Sequence, residues 1–314
     1  MKTRFIFNPN SGHNRQRPRF AGMIREFISS QVREADFATT EGPGHATELA
    51  RDAVTAGFHR VVAVGGDGTM NEVAQALVGA PAALALVPCG SGNGLALHLG
   101  LPTAPLQALK LIASGEARTA ALDTGVANGF PFFNAMGLGL DADVSRRFNS
   151  LTHRGLPAYA RTAFTALREL RSERCTIAMP GDRQKLDVLL VAVANSDQYG
   201  NNARIAPGAR VDDGQLDLVA VETVGPFGAV ELAARLFAGT FDRSPHVHRM
   251  RSANFVIGRE KPGLIHTDGE THETGSVIQI SVRPRSLRVV VPAVTHAVAF
   301  TDESAPAGFA LQLP

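Results

Sequence analysis

Cysteine and lysine are scarce in this sequence, and both shortages limit the chemistry that its side chains can perform. Only two cysteines occur, Cys89 and Cys175, and neither stands in a partner motif. Their spacing supports neither a disulfide framework nor a zinc site, and it favours a reducing compartment. Lysine accounts for four of the 31 basic residues, so arginine supplies the other 27. A site that binds an anion must therefore use arginine, backbone N–H groups or a metal ion.

Long apolar runs and an excess of one charge are missing as well. No stretch approaches the roughly 18 consecutive apolar residues of a membrane span. The net charge of +2 lacks the basic excess of a duplex-DNA binder, so we expect no nucleic-acid partner. The apolar start up to Phe7 is too short for a signal peptide, which predicts a cytoplasmic protein. A length of 314 residues predicts two domains.

Residues 61–72 join a β-branched run to three closely spaced glycines and then to a helical pattern, which predicts a strand, a tight turn and a helix. The glycines are Gly65, Gly66 and Gly68. Because they have no Cβ atoms, backbone N–H groups can approach a phosphate closely. The N-terminus of the next helix also attracts phosphate. Thr69 and Glu72 are predicted to form a capping box, and Asp67 implies a nearby Mg²⁺ because a carboxylate repels phosphate. The alternative is a structural turn with Asp67 in solvent.

Three other loops follow predicted strands in the first half of the chain, and they contain candidate nucleotide contacts. These contacts are Asn8, Ser11, Gly12, Thr40, Ser91 and Asn93. In an open α/β sheet, ligands bind beyond the carboxyl ends of the strands. The alternative is that these residues only form turns or helix caps and do not contact a nucleotide. Neither glycine loop has the dinucleotide fingerprint and no Gly-Lys-Ser/Thr loop occurs, which disfavours a Rossmann dehydrogenase and a Walker-type ATPase.

The pattern changes near residues 122–126 to short apolar runs that glycine and asparagine separate, which is typical of antiparallel strands. We therefore predict an α/β nucleotide-binding domain over residues 1–124 and a mostly antiparallel β-sandwich domain over residues 125–292. A predicted helix at 157–171 is rich in arginine, and it rests either on anionic lipid headgroups or in solvent. The tail, residues 293–314, is predicted to return to the first domain.

Two acidic turns in the second half are candidates for metal binding and for acid–base chemistry. The first lies within residues 205–217, where several oxygen ligands can hold Mg²⁺, although a charged hairpin turn explains them equally well. In the second, Asp268 and Glu270 point to the same side if the backbone is extended. One of them can take a proton from a substrate hydroxyl while the other orients it or binds metal. His266 and His272 match no zinc spacing and are predicted to lie on the surface.

Seven motifs follow one another along nearly the whole chain. They are Asn8-Pro9-Asn10-Ser11-Gly12, Thr40 with Gly44-His45-Ala46, Gly65-Gly66-Asp67-Gly68-Thr69 with Asn71-Glu72, Gly90-Ser91-Gly92-Asn93, Asn134 with Gly137-Leu138-Gly139, Ala206-Pro207 through Asp217, and Asp268-Gly269-Glu270. In this order they resemble the diacylglycerol kinase family of lipid kinases, which includes bacterial soluble lipid kinases and the sphingosine and ceramide kinases. The Gly-Gly-Asp-Gly-Thr loop alone is shared with NAD kinases and phosphofructokinases, whose open sheet is expected in the first domain.

The resemblance implies an ATP- and Mg²⁺-dependent kinase that phosphorylates the hydroxyl of a lipid such as diacylglycerol, sphingosine or ceramide. ATP is expected between the domains, with its phosphates on the first glycine loop. The implied nucleotide contacts are Asn8, Ser11, Gly12, Thr40, Gly65, Gly66, Asp67, Gly68, Thr69, Asn71, Glu72, Ser91 and Asn93. A structural Mg²⁺ is implied at Asp213, with backbone oxygens of Arg210 and Gln215. The general base is implied to be Asp268 or Glu270.

One position departs from the family pattern. Bacterial members usually have an aspartate after the asparagine of the second glycine loop, whereas this sequence has Gly94, so the metal network is expected to differ. The loop looks closer to the version in sphingosine and ceramide kinases. NAD kinase and a catalytically inactive nucleotide- or lipid-binding protein of the same fold are the alternative functions. The implied partners are ATP and a lipid at the inner membrane face, and a homodimer is a further alternative.

Overall fold

The computed structural model describes residues 1–114, 117–149 and 172–293. The arginine-rich helix predicted at 157–171 lies outside these residues, as does the predicted return of the tail beyond residue 293. Among the described residues, no helix is both long and apolar enough to cross a bilayer.

The first half of the chain alternates strands with helices. Its strands are β1 (Thr3–Phe7), β2 (Ala35–Thr39), β3 (Arg60–Gly65) and β4 (Ala83–Pro88). Its helices are α1 (Gly12–Gln16), α2 (Phe20–Gln31), α3 (His45–Thr55), α4 (Asp67–Leu77), α5 (Gly94–His98) and α6 (Pro105–Ala113). The strands pair in parallel in the order β2-β1-β3-β4. The apolar run of β3 is buried on both faces, as expected for a parallel strand that helices cover on each side.

The second half is mostly antiparallel. Its strands are β5 (Ala117–Ala127), β6 (Phe130–Phe132), β7 (Ala135–Gly139), β8 (Glu173–Met179), β9 (Asp182–Ala194), β10 (Gln198–Gly200), β11 (Ala203–Arg204), β12 (Leu216–Glu222), β13 (Val247–Ser252), β14 (Asn254–Arg259), β15 (Gly263–Thr267), β16 (Glu270–Thr274) and β17 (Val277–Pro292). The helices described there are α7 (Leu140–Asn149) and α8 (Pro226–Ala238). The predicted fold class, an α/β domain followed by antiparallel strands, is confirmed.

Strands β5 and β17 connect the two halves. They pair with each other in antiparallel fashion over most of their lengths, and Val289 of β17 pairs in parallel with Leu84 of β4. The other end of β17 pairs with β14 in the second half. The division predicted at residues 124 and 125 falls inside β5, and β17 pairs with strands of both halves. Backbone hydrogen bonds therefore join the parallel sheet directly to the antiparallel one.

Two apolar layers cover the parallel sheet, and a separate core fills the second half. Leu77 of α4 packs on one face of the sheet, and Ile24 of α2 packs on the other. In the second half, Leu218 of β12, Phe255 of β14 and Ile278 of β17 belong to one buried cluster. Each such side chain contributes about 1.5–3 kcal/mol when it is fully removed from water. These cores fix the strand ends from which the functional loops begin.

Candidate active site

The predicted nucleotide contacts lie at the carboxyl ends of the four parallel strands. The register pairs Phe7 with both Thr39 and Val64, and Gly65 with Pro88, so β1 to β4 end at one edge of the sheet. Several predicted contacts follow directly after these ends. They are the loop with Asn8, Ser11 and Gly12, the residue Thr40, and the two glycine loops. Parallel pairing thus brings together residues that are far apart in the sequence.

The first glycine loop is fixed by the loop that follows β1. Asn8 Nδ2 donates to Thr69 Oγ1 at 2.9 Å, and the Gly66 N–H donates to Ser11 Oγ at 3.1 Å. A Cβ atom on Gly65 would stand 2.3 Å from Thr69 Oγ1, so only glycine fits beneath this threonine. Gly68 is exposed in the first turn of α4.

The predicted capping box of Thr69 and Glu72 is wrong. The N-cap of α4 is Gly66, the helix begins at Asp67, and Thr69 is buried inside it. Glu72 Oε2 instead accepts the backbone N–H of Ala46 at 3.0 Å, in the first turn of α3. A carboxylate at a helix N-terminus satisfies an unpaired N–H group there. Glu72 therefore ties α4 to α3, and this direction of its side chain favours a structural role over a nucleotide contact.

Asp67 joins the two glycine loops. Its Oδ2 accepts the N–H of Asn93 at 2.8 Å, and its Oδ1 accepts the N–H of Gly94 at 2.9 Å. Burial raises the pKa of this carboxyl, while the N–H groups of Asn93 and Gly94 lower it by a smaller amount. A Cβ on Gly90 would stand 2.6 Å from the Gly66 Cα, so the two loops are in backbone contact.

The remaining predicted contacts occupy the same edge. Ser91 is exposed in the second glycine loop, and Asn93 Oδ1 accepts the Gly90 N–H at 3.0 Å within it. Thr40 is buried, and its backbone N–H bonds to the Phe7 carbonyl at 2.9 Å. Asn71 is also buried, and its Oδ1 has no hydrogen-bond partner among the described residues. Asn71 and Asp67 are four positions apart in α4, which puts both on one helix face.

In the second half, Asp268 binds the segment between β6 and β7. Its Oδ2 accepts the N–H of Phe133 at 2.7 Å, and its Oδ1 accepts those of Asn134 and Ala135 at 2.9 Å each. Burial raises the pKa of Asp268 to about 6, although these three N–H groups and the charge of His266 act in the opposite direction. Both carboxylate oxygens are thus engaged by the backbone. Two residues later, Glu270 is exposed at the start of β16.

The prediction that His266 lies on the surface is wrong, because the residue is 4% exposed. Its Nε2 lies 2.9 Å from Asp141 Oδ2, and its Nδ1 accepts the Gly269 N–H at 3.2 Å. Burial lowers the pKa of His266, but the charge and hydrogen bond of Asp141 and the charge of Asp268 together produce a net increase. Tyr199 donates its hydroxyl to Asp141 Oδ2 as well. This buried group supports the turn that contains Asp268.

A short series of contacts links the acidic turn with the glycine loops. The Asp67 carboxylate accepts the Gly94 N–H, and a Cβ on Gly94 would stand 3.5 Å from the Asn134 Cγ. The N–H of Asn134 in turn donates to Asp268. Asn195 Nδ2 donates to the carbonyls of Phe133 and Asp123 at 2.9 Å each, and so links β5 with the segment that Asp268 binds. The candidate phosphate loops and the candidate acid–base turn are therefore neighbours.

The predicted Mg²⁺ loop lies beside an aspartate that the sequence analysis missed. Asp123 of β5 is buried, and its carboxylate accepts the N–H groups of Gly214 at 2.6 Å and Arg285 at 2.7 Å. Burial raises its pKa most, and the charges of Asp213 and Asp212 raise it further, while these two N–H groups lower it. A single acid inside the apolar run of β5 is the signal that could have identified it.

The donors around Asp213 fit a magnesium ion in their chemistry. Asp213 Oδ1 accepts the Gln215 N–H at 3.0 Å, and Oδ2 contacts the Arg251 guanidinium. Within the described residues, no three His, Cys, Asp or Glu side chains are arranged to hold a metal ion. A Mg²⁺ here would therefore combine one carboxylate with backbone oxygens, such as those of Arg210 and Gln215, and with water, which suits this ion. It would also offset the repulsion among the neighbouring acids.

Two family models match the chain. Residues 2–124 match the diacylglycerol kinase catalytic domain, and residues 134–291 match the YegS C-terminal NAD kinase beta sandwich-like domain. A protein from Pseudomonas fluorescens named probable lipid kinase YegS-like is 31% identical over 253 residues, which cover 79% of this chain and 83% of that protein. The diacylglycerol kinase of Bacillus subtilis is 27% identical over 278 residues, which cover 86% of this chain and 89% of that protein.

A solved structure shows the same fold. The crystal structure of a diacylglycerol kinase from Bacillus anthracis superposes with a TM-score of 0.71 at 19% identity, covering 95% of this chain and 98% of that one. The α/β fold with antiparallel strands and the family resemblance found in the sequence agree with these similarities.

Proposed function

The chain belongs to the diacylglycerol kinase-like family of lipid kinases, and we propose that it transfers the γ-phosphoryl group of ATP to the hydroxyl of a lipid, diacylglycerol first among the candidates. The observation that carries this proposal is the contact between its two candidate sites. Asp67 and Asp268 bind backbone segments that meet at Gly94 and Asn134. Phosphoryl transfer depends mainly on such positioning of a phosphate beside an acceptor.

The phosphates of ATP are proposed to contact the two glycine loops. Gly66 is the N-cap of α4, an 11-residue helix whose N-terminus attracts negative charge. Asp67 stands at this terminus, but Asn93 and Gly94 already donate N–H groups to its carboxylate. We therefore assign Asp67 the task of holding the second loop against the first. Asn8 and Ser11 hold the same loop from the side of β1.

Glu270 is the proposed general base. The carboxylate of Asp268 accepts three backbone N–H groups, which leaves it poorly placed to approach a substrate hydroxyl. Glu270 is exposed and follows directly after the Asp268-Gly269 turn. In this proposal Glu270 accepts the proton of the lipid hydroxyl as the hydroxyl oxygen attacks the γ-phosphorus of ATP and ADP leaves. Asp268 holds the turn that presents Glu270.

Magnesium is proposed at the Asp213 loop. There the Asp213 carboxylate and the backbone oxygens of Arg210 and Gln215 would hold the ion, which would neutralise charge in the acidic loop. The proximity of three carboxylates supports a need for positive charge at this place, since the charges of Asp213 and Asp212 add to the burial that raises the pKa of Asp123. Arg251 supplies part of that charge through its contact with Asp213.

Gly94, the position that departs from the family pattern, packs against β10. A Cβ there would stand 3.4 Å from the carbonyl oxygen of Gln198 and from the N–H nitrogen of Gly200, both in β10. These are ordinary van der Waals distances, so packing alone does not require glycine at this position. Diacylglycerol is the first candidate acceptor, in keeping with the Bacillus subtilis relative.

A panel of acceptors tests the proposal. Purified protein is incubated with labelled ATP, Mg²⁺ and mixed micelles that contain diacylglycerol, sphingosine or ceramide, and the products are separated by chromatography. We expect phosphatidic acid as the main product. Formation of NADP from NAD and ATP would favour the NAD kinase alternative. ATP binding by folded protein without transfer to any acceptor would favour the inactive alternative.

A further inference from the structure

Helix α8 presents an apolar face to solvent. Phe227 is 92% exposed, Val230 is 71% exposed and Phe237 is 48% exposed. After the first residue of the helix, the exposed positions are Phe227, Val230, Ala233, Ala234, Phe237 and Ala238. None of these side chains is charged or polar, although a surface helix of a globular protein normally directs its charged residues outward. A contiguous apolar surface of this kind marks an interaction site.

The two charged residues of α8 are paired with each other. Glu231 and Arg235 stand four positions apart and form an ion pair with each other, and Glu231 also accepts the Ser244 hydroxyl at 3.2 Å. Leu232 is buried and anchors the helix to the second half of the protein. Leu232 and the hydrogen bond between Glu231 and Ser244 thus hold the helix in place, while its most exposed positions have only apolar side chains.

Positive charge borders the C-terminal end of this face. Gly239, the C-cap of α8, lies against Arg204, because a Cβ on this glycine would stand 3.3 Å from the Arg204 Cδ. Arg243 follows in the next turn, and both arginines are exposed. An apolar helical face with arginines at its border has the chemistry of a segment that lies in the interface of an anionic bilayer.

We propose that α8 is the surface by which this lipid kinase docks on a bilayer with anionic headgroups. Phe227, Val230 and Phe237 enter the boundary between headgroups and acyl chains, and Arg204 and Arg243 contact the headgroups. The inference rests on the proposed function, because a kinase whose acceptor is a membrane lipid has to meet that lipid at a bilayer surface.

The same arginine connects this surface with the candidate active site. Arg204 lies 3.8 Å from Asp197 Oδ2, and Asp197 Oδ1 lies 2.6 Å from His98 Nδ1. His98 ends α5, the helix that begins at Gly94 in the second glycine loop. A bilayer under α8 is therefore only a few side chains away from the loop proposed to hold the nucleotide, which suits transfer to a lipid headgroup region.

The absence of tryptophan from the sequence gives a direct test, because one substitution creates a unique fluorophore. Phe227→Trp is mixed with vesicles made of equal parts phosphatidylglycerol and phosphatidylcholine. We expect its emission to shift to the blue and to be quenched by brominated acyl chains. Leu106→Trp, at an exposed position of α6, is the control and should keep the emission of a solvent-exposed indole. Solvent-like emission from Phe227→Trp on vesicle-bound protein would overturn the proposal.

A second pair of variants separates the surface from the catalytic proposal. The double variant Phe227→Glu/Val230→Glu should bind these vesicles about tenfold or more weakly, since burial of apolar area drives interfacial binding. The matched control Met23→Glu/Leu106→Glu adds the same charge at two other exposed positions and should bind like the wild type. Both variants should phosphorylate a soluble short-chain diacylglycerol normally, while only the first should lose activity on vesicles.

The outcomes distinguish the two proposals. Vesicle binding that depends on Phe227 and Val230, without kinase activity on any acceptor, would support the docking surface and contradict the proposed function. Normal kinase activity, together with vesicle binding that Phe227→Glu/Val230→Glu leaves unchanged, would contradict the docking surface but not the proposed function. Sedimentation velocity provides the last outcome. A dimer of the wild type that Phe227→Glu/Val230→Glu dissociates would assign α8 to contact with a second copy and overturn the bilayer proposal.

Discussion

The segments that begin at Asp67 and Asp268 share an Asp-Gly pair followed by a polar residue, yet their third residues have different surroundings. Both aspartates use their carboxylates to bind backbone N–H groups of a neighbouring segment. After the first pair, Thr69 is buried against Asn8, whereas after the second pair Glu270 is exposed. The aspartate of each motif thus holds a neighbouring backbone segment in place. Only the second turn also presents a further acid to solvent.

The largest effect that would sharpen this comparison is expected at Glu270. Glu270→Gln removes the proposed base, so we expect kcat to fall by roughly a hundred- to ten-thousand-fold while the thermal unfolding midpoint stays unchanged. Steady-state kinetics on diacylglycerol micelles and thermal unfolding measure the two quantities. Glu273→Gln alters another exposed glutamate of β16 and serves as the control with near-normal kcat. Equal losses in both variants would remove the distinction that we draw for Glu270.

The next effect concerns Asp268 and is expected in stability as well as in activity. Asp268→Asn replaces one acceptor oxygen with an N–H₂ group that opposes the N–H donors of Phe133, Asn134 and Ala135. We expect the free energy of unfolding in urea to fall by about 2–3 kcal/mol. Asp187→Asn, at an exposed acid paired with Arg174, should leave it almost unchanged. An Asp268→Asn protein of normal stability with no activity would instead assign the base to Asp268.

At Asp67 the expected effect is smaller and should appear mainly in nucleotide binding. Asp67→Asn weakens the contact with Asn93 and Gly94, so the second glycine loop loses its fixed position. We expect the KM for ATP to rise about tenfold, in line with the loss of one charged hydrogen-bonding group. The exposed Asp52→Asn on α3 is the control for the change of charge. A fall in kcat at unchanged KM would show that Asp67 acts in the chemical step.

The last predicted effect is a dependence of stability on pH. The folded-state pKa of Asp268 lies at about 6, above its ordinary value of 3.8, so the folded protein retains a proton that the unfolded chain has lost. Its contribution to stability is present below about pH 4 and is lost as pH rises to about 6. Urea unfolding between these pH values should show a steeper decline for the wild type than for Asp268→Asn. Parallel curves would contradict the raised pKa.

Residues of the first half could be located from the sequence because local patterns determine them. The β-branched run that ends at Gly65 predicted β3, and parallel pairing then placed Ser11 and Asn93 at the same edge of the sheet. The capping box failed for a tertiary reason. Glu72 accepts the backbone N–H of Ala46 in another helix, and no local sequence pattern predicts this contact.

The second half was predicted less completely because its site depends on distant partners. His266 was assigned to the surface, since its ion-pair partner Asp141 lies in the first turn of α7, far away in the sequence. Asp123 was missed because its N–H donors are distant in the sequence: Gly214 precedes β12, and Arg285 lies in β17. The Asp268-Gly269-Glu270 motif marked the right turn, but the division of roles between its two acids requires the backbone N–H groups that the structure shows.

Chemical rescue of the two acids tests the central claim most directly. Glu270→Ala and Asp268→Ala are assayed for transfer to soluble short-chain diacylglycerol in the presence of rising formate concentrations. If Glu270 accepts the proton and Asp268 holds the backbone, formate should restore activity to Glu270→Ala only, because a small carboxylate can replace a base but cannot hold three N–H groups at fixed positions. Rescue of Asp268→Ala and not of Glu270→Ala would contradict this account.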